Sequence, residues 1–180
     1  MLSFEGKFQP VCLHRQLLIP PNPTRYDAVA VCLWTKRDVA LQQLTNISIT
    51  PAAVGNLYSG KRGIDPLIRN LLANPHITCI MVTGQNLSGS REALLGFMNS
   101  RPNDVSFYQG AYGLGSDITL AEVESIQRSI TIVDVSTELH TTVYAPGQNE
   151  RVNGRCQSIK HIAVANTVAK RAPGPYVLVS

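Results

Sequence analysis

Two stretches of the sequence combine glycine, small polar side chains and cations, which is the mixture that anion sites use. The first is GNLYSGKRG, residues 55–63, and the second is GQNLSGSRE, residues 84–92. Glycines let a ligand approach the backbone, amides and hydroxyls donate hydrogen bonds, and lysine or arginine supplies charge. The same residue types also build ordinary turns between a strand and a helix.

We predict that the two loops together bind an anionic small molecule. The residues expected to contact it are Gly55, Asn56, Ser59, Lys61, Arg62, Gly63, Gly84, Asn86, Ser88, Gly89, Ser90 and Arg91. Asp134, a carboxylate at the end of the apolar run ITIVDV, is a further expected contact.

Neither loop fits the two best-known nucleotide motifs. A P-loop requires a hydroxyl residue directly after its lysine, whereas Lys61 is followed by Arg62. The dinucleotide motif GxGxxG is absent, and the nearest string, GAYGLGS at 110–116, has its glycines in another order. We therefore predict neither an ATP P-loop site nor an NAD site.

The histidines and cysteines give no strong catalytic or metal motif. The four histidines are far apart and show no HxxxH or HExxH spacing, so we predict no metal site. Cys12 and His14 share one face of a strand by simple alternation, which is weak support for a nucleophile and its base. Cys32 and Cys79 lie inside apolar runs and are expected to be buried, reduced thiols. We assign no catalytic residue.

Composition indicates one globular domain. The 180 residues are 44% apolar and 16% charged, with a net charge of +4 and no basic run, so nucleic-acid binding is not indicated. Without a signal peptide or an apolar stretch of about 20 residues, we expect a cytoplasmic protein with no membrane segment. We divide the chain into an N-terminal extension, residues 1–25, and a single Rossmann-like domain, residues 26–180. The end of the chain at YVLVS, directly after a predicted strand, also suggests a module of something longer.

Strands and helices alternate along the predicted domain. The apolar runs predict strands over 28–34, 47–54, 77–83 and 130–135. Helices are predicted from Asp65–Pro66 to residue 73, over 91–99 with Ser88 or Ser90 as cap, and over 120–128 with a Thr119–Glu122 capping box. Residues 35–44 fit either a second strand or a short helix, and residues 100–118 fit a functional loop or lid. A strand within 138–144, a helix over 158–172 and a strand over 176–179 complete the prediction.

This order predicts an α/β fold, a Rossmann-like three-layer sandwich with a mainly parallel sheet. Ligands of such sheets bind beyond the carboxyl ends of the strands. If strands 47–54 and 77–83 are neighbours, the two glycine-containing loops lie side by side at that edge.

The string VGNLYSGKRGIDPLIRNLLANPHITCIMVTGQNLSGSREALLGF resembles an α/β domain that occurs fused to thymidylate-synthase-like and dihydropteroate-synthase-like proteins. More distantly it is similar to the soluble domain of the corrinoid-carrying subunit of tetrahydromethanopterin S-methyltransferase. The resemblance covers about residues 47–100 and extends to 119–136 through LAEVESIQRSITIVDV. That methyltransferase protein supplies a histidine to the corrinoid cobalt from the loop that matches GQNLSGSRE, which here has none.

The resemblance implies an accessory domain of a thymidylate-synthase-type system, in which dUMP or dCMP receives a carbon unit from a folate-like donor. This chain would bind a folate, another pterin or a nucleotide without making or breaking bonds, next to a synthase domain or chain. An alternative is an oligomerisation or interaction module that uses exposed apolar residues, namely Leu57, Tyr58, Phe107 and Tyr112. A corrinoid-type methyl carrier is a third interpretation. We expect a homo-oligomer.

Overall fold

A computed structural model of the chain describes residues 17–135 and 142–144. Five strands and five helices are formed by these residues. In chain order they are β1 (Arg25–Val31), α1 (Arg37–Asn46), β2 (Pro51–Gly55), α2 (Gly60–Ala73), β3 (Cys79–Val82), α3 (Ser90–Asn99), α4 (Val105–Tyr112), α5 (Leu120–Ser129), β4 (Thr131–Asp134) and β5 (Thr142–Tyr144).

The strands form one sheet in the order β2-β1-β3-β4-β5. The first four strands are parallel, and β5 pairs antiparallel with β4 at the edge. Parallel strands require crossover connections, which the helices provide. The predicted α/β Rossmann-like fold with a mainly parallel sheet is confirmed.

Side chains alternate between two apolar layers on opposite faces of the sheet. Ile80 and Val82 of β3 belong to the larger layer, which also holds the buried residues of α2, α3, α4 and α5. Cys79 and Met81 of the same strand belong to the smaller layer, which holds Ala40 and Leu44 of α1. All four residues of β3 are buried, as expected for a strand with both faces covered. The described helices therefore lie on both faces, which gives three layers.

Helix α2 begins earlier than the sequence predicts. The predicted start at Asp65 and Pro66 is wrong, because Ser59 is the N-cap and its hydroxyl accepts a hydrogen bond from the Arg62 amide. Asp65 lies within the helix, where its carboxylate accepts hydrogen bonds from Arg69 and from the Gly115 amide. The aspartate that resembled a cap therefore ties the helix to the loop before α5.

The predicted lid over residues 100–118 is also wrong, because its middle is helix α4. Asp104 caps this helix by accepting from the Ser106 amide, and Gly113 ends it in a left-handed conformation with φ 68°. Tyr108 is buried in the larger core layer and donates to the Ser100 carbonyl at 2.9 Å. The short, glycine-containing helix was hidden from sequence reasoning because its stability comes from this packing, not from its own propensity.

Other boundaries differ by a few residues. The strand predicted over 28–34 is Arg25–Val31, and the strand predicted over 47–54 is Pro51–Gly55. The ambiguous segment 35–44 forms helix α1, and the cap of α3 is Gly89, not Ser88 or Ser90. The capping box of Thr119 and Glu122 at the start of α5 is confirmed. Helix 158–172 and strand 176–179 lie outside the described residues, as does part of the predicted strand 138–144.

The edge of the sheet at β2 also contacts the segment before β1. Leu18, within the predicted N-terminal extension, forms an antiparallel bridge with Val54 through two backbone hydrogen bonds of 2.9 Å. In the part of the chain that the structure describes, no helix has both the length and the apolar character needed to cross a bilayer.

Candidate functional site

Strands β2 and β3 are not neighbours, because β1 lies between them. The condition under which their loops were expected to lie side by side is therefore not met. The loop after β1, residues 32–36, takes the middle position between residues 55–59 and residues 83–89. We call these three segments the carboxyl-edge loops. The chain passes from β1 to β2 on one side of β1, whereas β3 and β4 lie on the other side. The place where the strand order reverses in this way is the topological switch point, at which α/β sheets bind ligands.

The loops after β1 and β3 are joined by hydrogen bonds that their backbone amides donate. The Trp34 amide donates to the Gln85 carbonyl at 3.1 Å, and the Gln85 amide donates to Thr35 Oγ1 at 3.0 Å. Gly84 has φ +86°, and a Cβ atom there would lie 2.5 Å from Thr35 Oγ1. This predicted ligand contact is therefore a glycine because the chain turns and packs closely at this point.

Asn56 joins the loops after β1 and β2. Its Nδ2 atom donates to the carbonyl oxygens of Leu33 and Thr35, both at 2.8 Å. The Cys32 amide donates to the Gly55 carbonyl at 2.8 Å. The side-chain amide of Asn56, which the sequence predicts as a ligand contact, therefore holds the two loops together.

Ser88 completes the connection between the loops after β2 and β3. Its hydroxyl donates to the Tyr58 carbonyl at 2.7 Å and accepts from the indole nitrogen of Trp34 at 2.9 Å. It also lies 2.5 Å from the Ser90 hydroxyl. The two predicted loops are therefore brought together after all, through Ser88 and the side chain of Trp34.

Arg91 and Asp134 form an ion pair at the neighbouring end of β4. The Arg91 guanidinium lies 3.2 Å from Asp134 Oδ2 and 3.3 Å from Glu92 Oε1. Asn86 donates to Glu92 at 2.5 Å and accepts from the Arg91 amide at 3.3 Å. The hydrogen bond from Asn86 holds the pKa of Glu92 below its ordinary value. These predicted contacts mainly order the start of α3.

Lys61 and Arg62 differ from the other charged residues of the predicted site, Arg91 and Asp134, because both of their side chains are exposed. They lie in the first turn of α2, directly after the Ser59 cap. The N-terminus of a helix carries partial positive charge and amides that lack intrahelical partners. Gly63, by contrast, faces Leu57, and a Cβ atom there would overlap that side chain. The exposed positive charge of the loop therefore resides in Lys61 and Arg62.

The buried thiols and the described histidine give no nucleophile. Burial raises the pKa of Cys32 to about 11 and that of Cys79 to about 11, so both stay protonated near neutral pH. His76 precedes β3, at the opposite edge of the sheet, and burial lowers its pKa. Within residues 17–135 and 142–144, no group of three or more His, Cys, Asp or Glu side chains is placed to hold a metal ion. Cys12 and His14 lie outside the described residues.

Trp34 is the residue that sequence reasoning missed. The available signal was its position at the end of an apolar run and as the one tryptophan of the chain. Among the residues assigned to the interaction hypothesis, Leu57 is buried, so its predicted exposure is wrong. Tyr58 and Phe107 are exposed as predicted, and Tyr112 is partly buried against the larger core layer.

The sequence matches no protein-family model, and the search of curated proteins gives no match.

Proposed function

We propose that the chain is an accessory binding domain that holds an anionic pterin or nucleotide at the carboxyl-edge loops. The observation that carries this proposal is the joining of three strand-end loops at the switch point, beside the exposed Lys61 and Arg62. A loop network already ordered by hydrogen bonds loses little conformational entropy when a ligand binds. Binding requires no catalytic group, and none of the described residues is assigned a catalytic role.

The predicted site residues take two different roles in this proposal. Lys61 and Arg62 contact the anion, because they present charge to solvent next to the start of α2. Asn56, Ser88 and Arg91 position the loops, because the hydrogen bonds described above already engage them. The ligand is therefore held by the exposed rim of the network.

The metabolic assignment is narrower and depends on the resemblance of residues 47–100. It places the domain in a thymidylate-synthase-type system, with dUMP or dCMP as the nucleotide and a folate-like carbon donor. The partner would be a synthase domain or chain, or further copies of this protein. The charge of Lys61 and Arg62 suits both the phosphate of a nucleotide and the carboxylates of a folate.

The double variant Lys61→Ala/Arg62→Ala tests the binding site. Isothermal titration with dUMP, dCMP and folic acid should detect binding of at least one by the native protein. The double variant should weaken that binding by about tenfold or more, since each lost charge contact is worth roughly 1 kcal/mol.

A matched control removes two charges at the other edge of the sheet. Arg101 follows the end of α3 and Arg128 lies in the last turn of α5, and both are exposed. Arg101→Ala/Arg128→Ala should leave the affinity unchanged. No binding by the native protein, or equal losses in the two double variants, would overturn the proposal.

An interaction module is the second candidate, and the exposure of Phe107 on α4 favours it. In that case the carboxyl-edge loops are turns, and assembly uses exposed apolar side chains. Sedimentation analysis separates the two candidates: Phe107→Ser should dissociate an assembly built on α4, whereas Lys61→Ala/Arg62→Ala should leave it intact.

A further inference from the structure

We infer that Trp34, with Tyr58 and Leu87, forms a stacking surface for the planar ring of the ligand. This inference rests on the proposed function and adds to it the place where the heterocycle binds. The three side chains belong to the three carboxyl-edge loops, one each. All are exposed although they are large and apolar, with 44% of Trp34, 38% of Tyr58 and 69% of Leu87 accessible.

The orientation of Trp34 is fixed, which distinguishes it from a mobile surface side chain. Its indole nitrogen, the only polar atom of the side chain, donates to Ser88 Oγ at 2.9 Å. Its ring contacts the Tyr58 ring edge-to-face, with centroids 5.0 Å apart and an angle of 62° between the planes. Since the polar atom is engaged, the accessible remainder of the indole is hydrocarbon. That surface suits a flat ring better than it suits water.

The backbone before Trp34 adds a second observation. Leu33 has φ +36°, a left-handed backbone conformation that residues other than glycine rarely adopt. Leu33 is nevertheless fully buried, and the next residue, Trp34, faces solvent. Strained residues of this kind concentrate at binding sites, where the surrounding structure holds them in place. Here the hydrogen bond from Asn56 to the Leu33 carbonyl is part of that support.

Charge near the aromatic surface favours a ring that carries an anionic group. Lys61 and Arg62 follow Tyr58 by three and four residues, and the exposed Lys36 follows Trp34 by two. Stacking alone would suit any aromatic compound, and cations alone would suit inorganic phosphate. Their combination selects a planar nitrogen heterocycle joined to a phosphate or a carboxylate, which both nucleotides and folates contain.

Trp34 supplies its own probe, because it is the only tryptophan of the chain. Three compounds separate the ring from the anion: dUMP, deoxyuridine and 2-deoxyribose 5-phosphate. Saturable quenching of Trp34 emission by dUMP is expected, with deoxyribose phosphate binding at least about tenfold more weakly and leaving the emission unchanged. Folic acid is compared by calorimetry, because it absorbs at the excitation wavelength.

Substitutions of Trp34 test whether its ring is responsible for the binding of dUMP. Trp34→Ala should lower the calorimetric affinity for dUMP about tenfold or more, and Trp34→Phe, which keeps a ring, should lower it less. Tyr26→Ala removes an exposed aromatic side chain at the opposite edge of the sheet and should change nothing. Circular dichroism checks that each variant is folded.

The outcomes separate this inference from the proposed function. If dUMP and deoxyribose phosphate bind equally well, and Trp34→Ala binds as the native protein does, the anion site stands and the stacking surface is overturned. If deoxyribose phosphate, dUMP, dCMP and folic acid all fail to bind, the proposed function fails as well. Emission that depends on protein concentration but not on dUMP identifies the surface as a contact between copies, and this result would also overturn the inference.

Discussion

At the scale of single residues, most polar side chains near the site have partners within the protein. Asn56, Ser88 and Arg91 were predicted as ligand contacts, yet each joins one segment of the chain to another. Residue type does not distinguish these uses, because an amide or hydroxyl that can bind a phosphate can equally bind a carbonyl. Exposure and charge together do distinguish them: Ser88 is exposed but uncharged and Arg91 is partly buried, whereas Lys61 and Arg62 are both charged and exposed.

The ion pair of Arg25 and Asp27 makes stability depend on pH. Arg25 is buried and donates two hydrogen bonds of 2.7 Å to the Asp27 carboxylate. These bonds hold the pKa of Asp27 below its ordinary value, although burial acts in the opposite direction. The stabilisation is therefore complete above the unfolded-state pKa of about 4 and is lost as the pH falls through the lower folded-state pKa.

We expect Asp27→Asn to lower the free energy of unfolding near neutral pH and to lose less stability than the native protein on acidification. Urea titrations at a series of pH values from about 6 to about 2 measure this difference. Asp38→Asn, at an exposed position in the first turn of α1, is the control and should follow the native curve. Parallel curves for Asp27→Asn and the native protein would show that the ion pair contributes nothing.

At the scale of elements, glycines set how closely the strand-end loops approach one another. Gly84 combines φ +86° with a site where a Cβ atom would lie within 3 Å of Thr35 and of the Cys32 carbonyl. Gly110, in the interior of α4, has no atom within 4 Å of the position a Cβ would take. The same substitution therefore has opposite expected effects at the two positions.

Gly84→Ala should destabilise the fold by at least about 1–2 kcal/mol, which is the cost of a left-handed backbone conformation for a residue other than glycine. Gly110→Ala should stabilise it by about 0.5–1 kcal/mol, because alanine favours a helix over glycine. Chemical denaturation followed by circular dichroism measures both. Equal effects of the two changes would mean that the packing of Gly84 against Thr35 does not hold the loops together.

Sequence patterns were sufficient for elements whose signal is local. The capping box of Thr119 and Glu122, the buried run of β3 and the apolar face of α2 are each contained in a few neighbouring residues. Helix α4 was missed because Tyr108 is buried by partners distant in sequence, including Gln127. The order of the strands stayed open for the same reason, since pairing of β1 with both β2 and β3 is a long-range choice.

At the scale of the whole molecule, that strand order determines the candidate site. With β1 in the middle, the loop that carries Trp34 lies between the two glycine-containing loops that the sequence singled out. Sequence reasoning located two of the three loops at this edge of the sheet. It could not locate the third, because only the pairing of the strands brings Trp34 next to Ser88 and Tyr58.

The central claim is that ligand binding is confined to the carboxyl-edge loops and the start of α2. Amide chemical-shift mapping of the ¹⁵N-labelled protein during titration with dUMP, and separately with folic acid, tests it most directly. We predict saturable shifts for at least one of these compounds, concentrated in residues 32–36, 56–62 and 83–91. Shifts that are absent for both compounds, or that cluster around α4 or the start of β1, would contradict the claim.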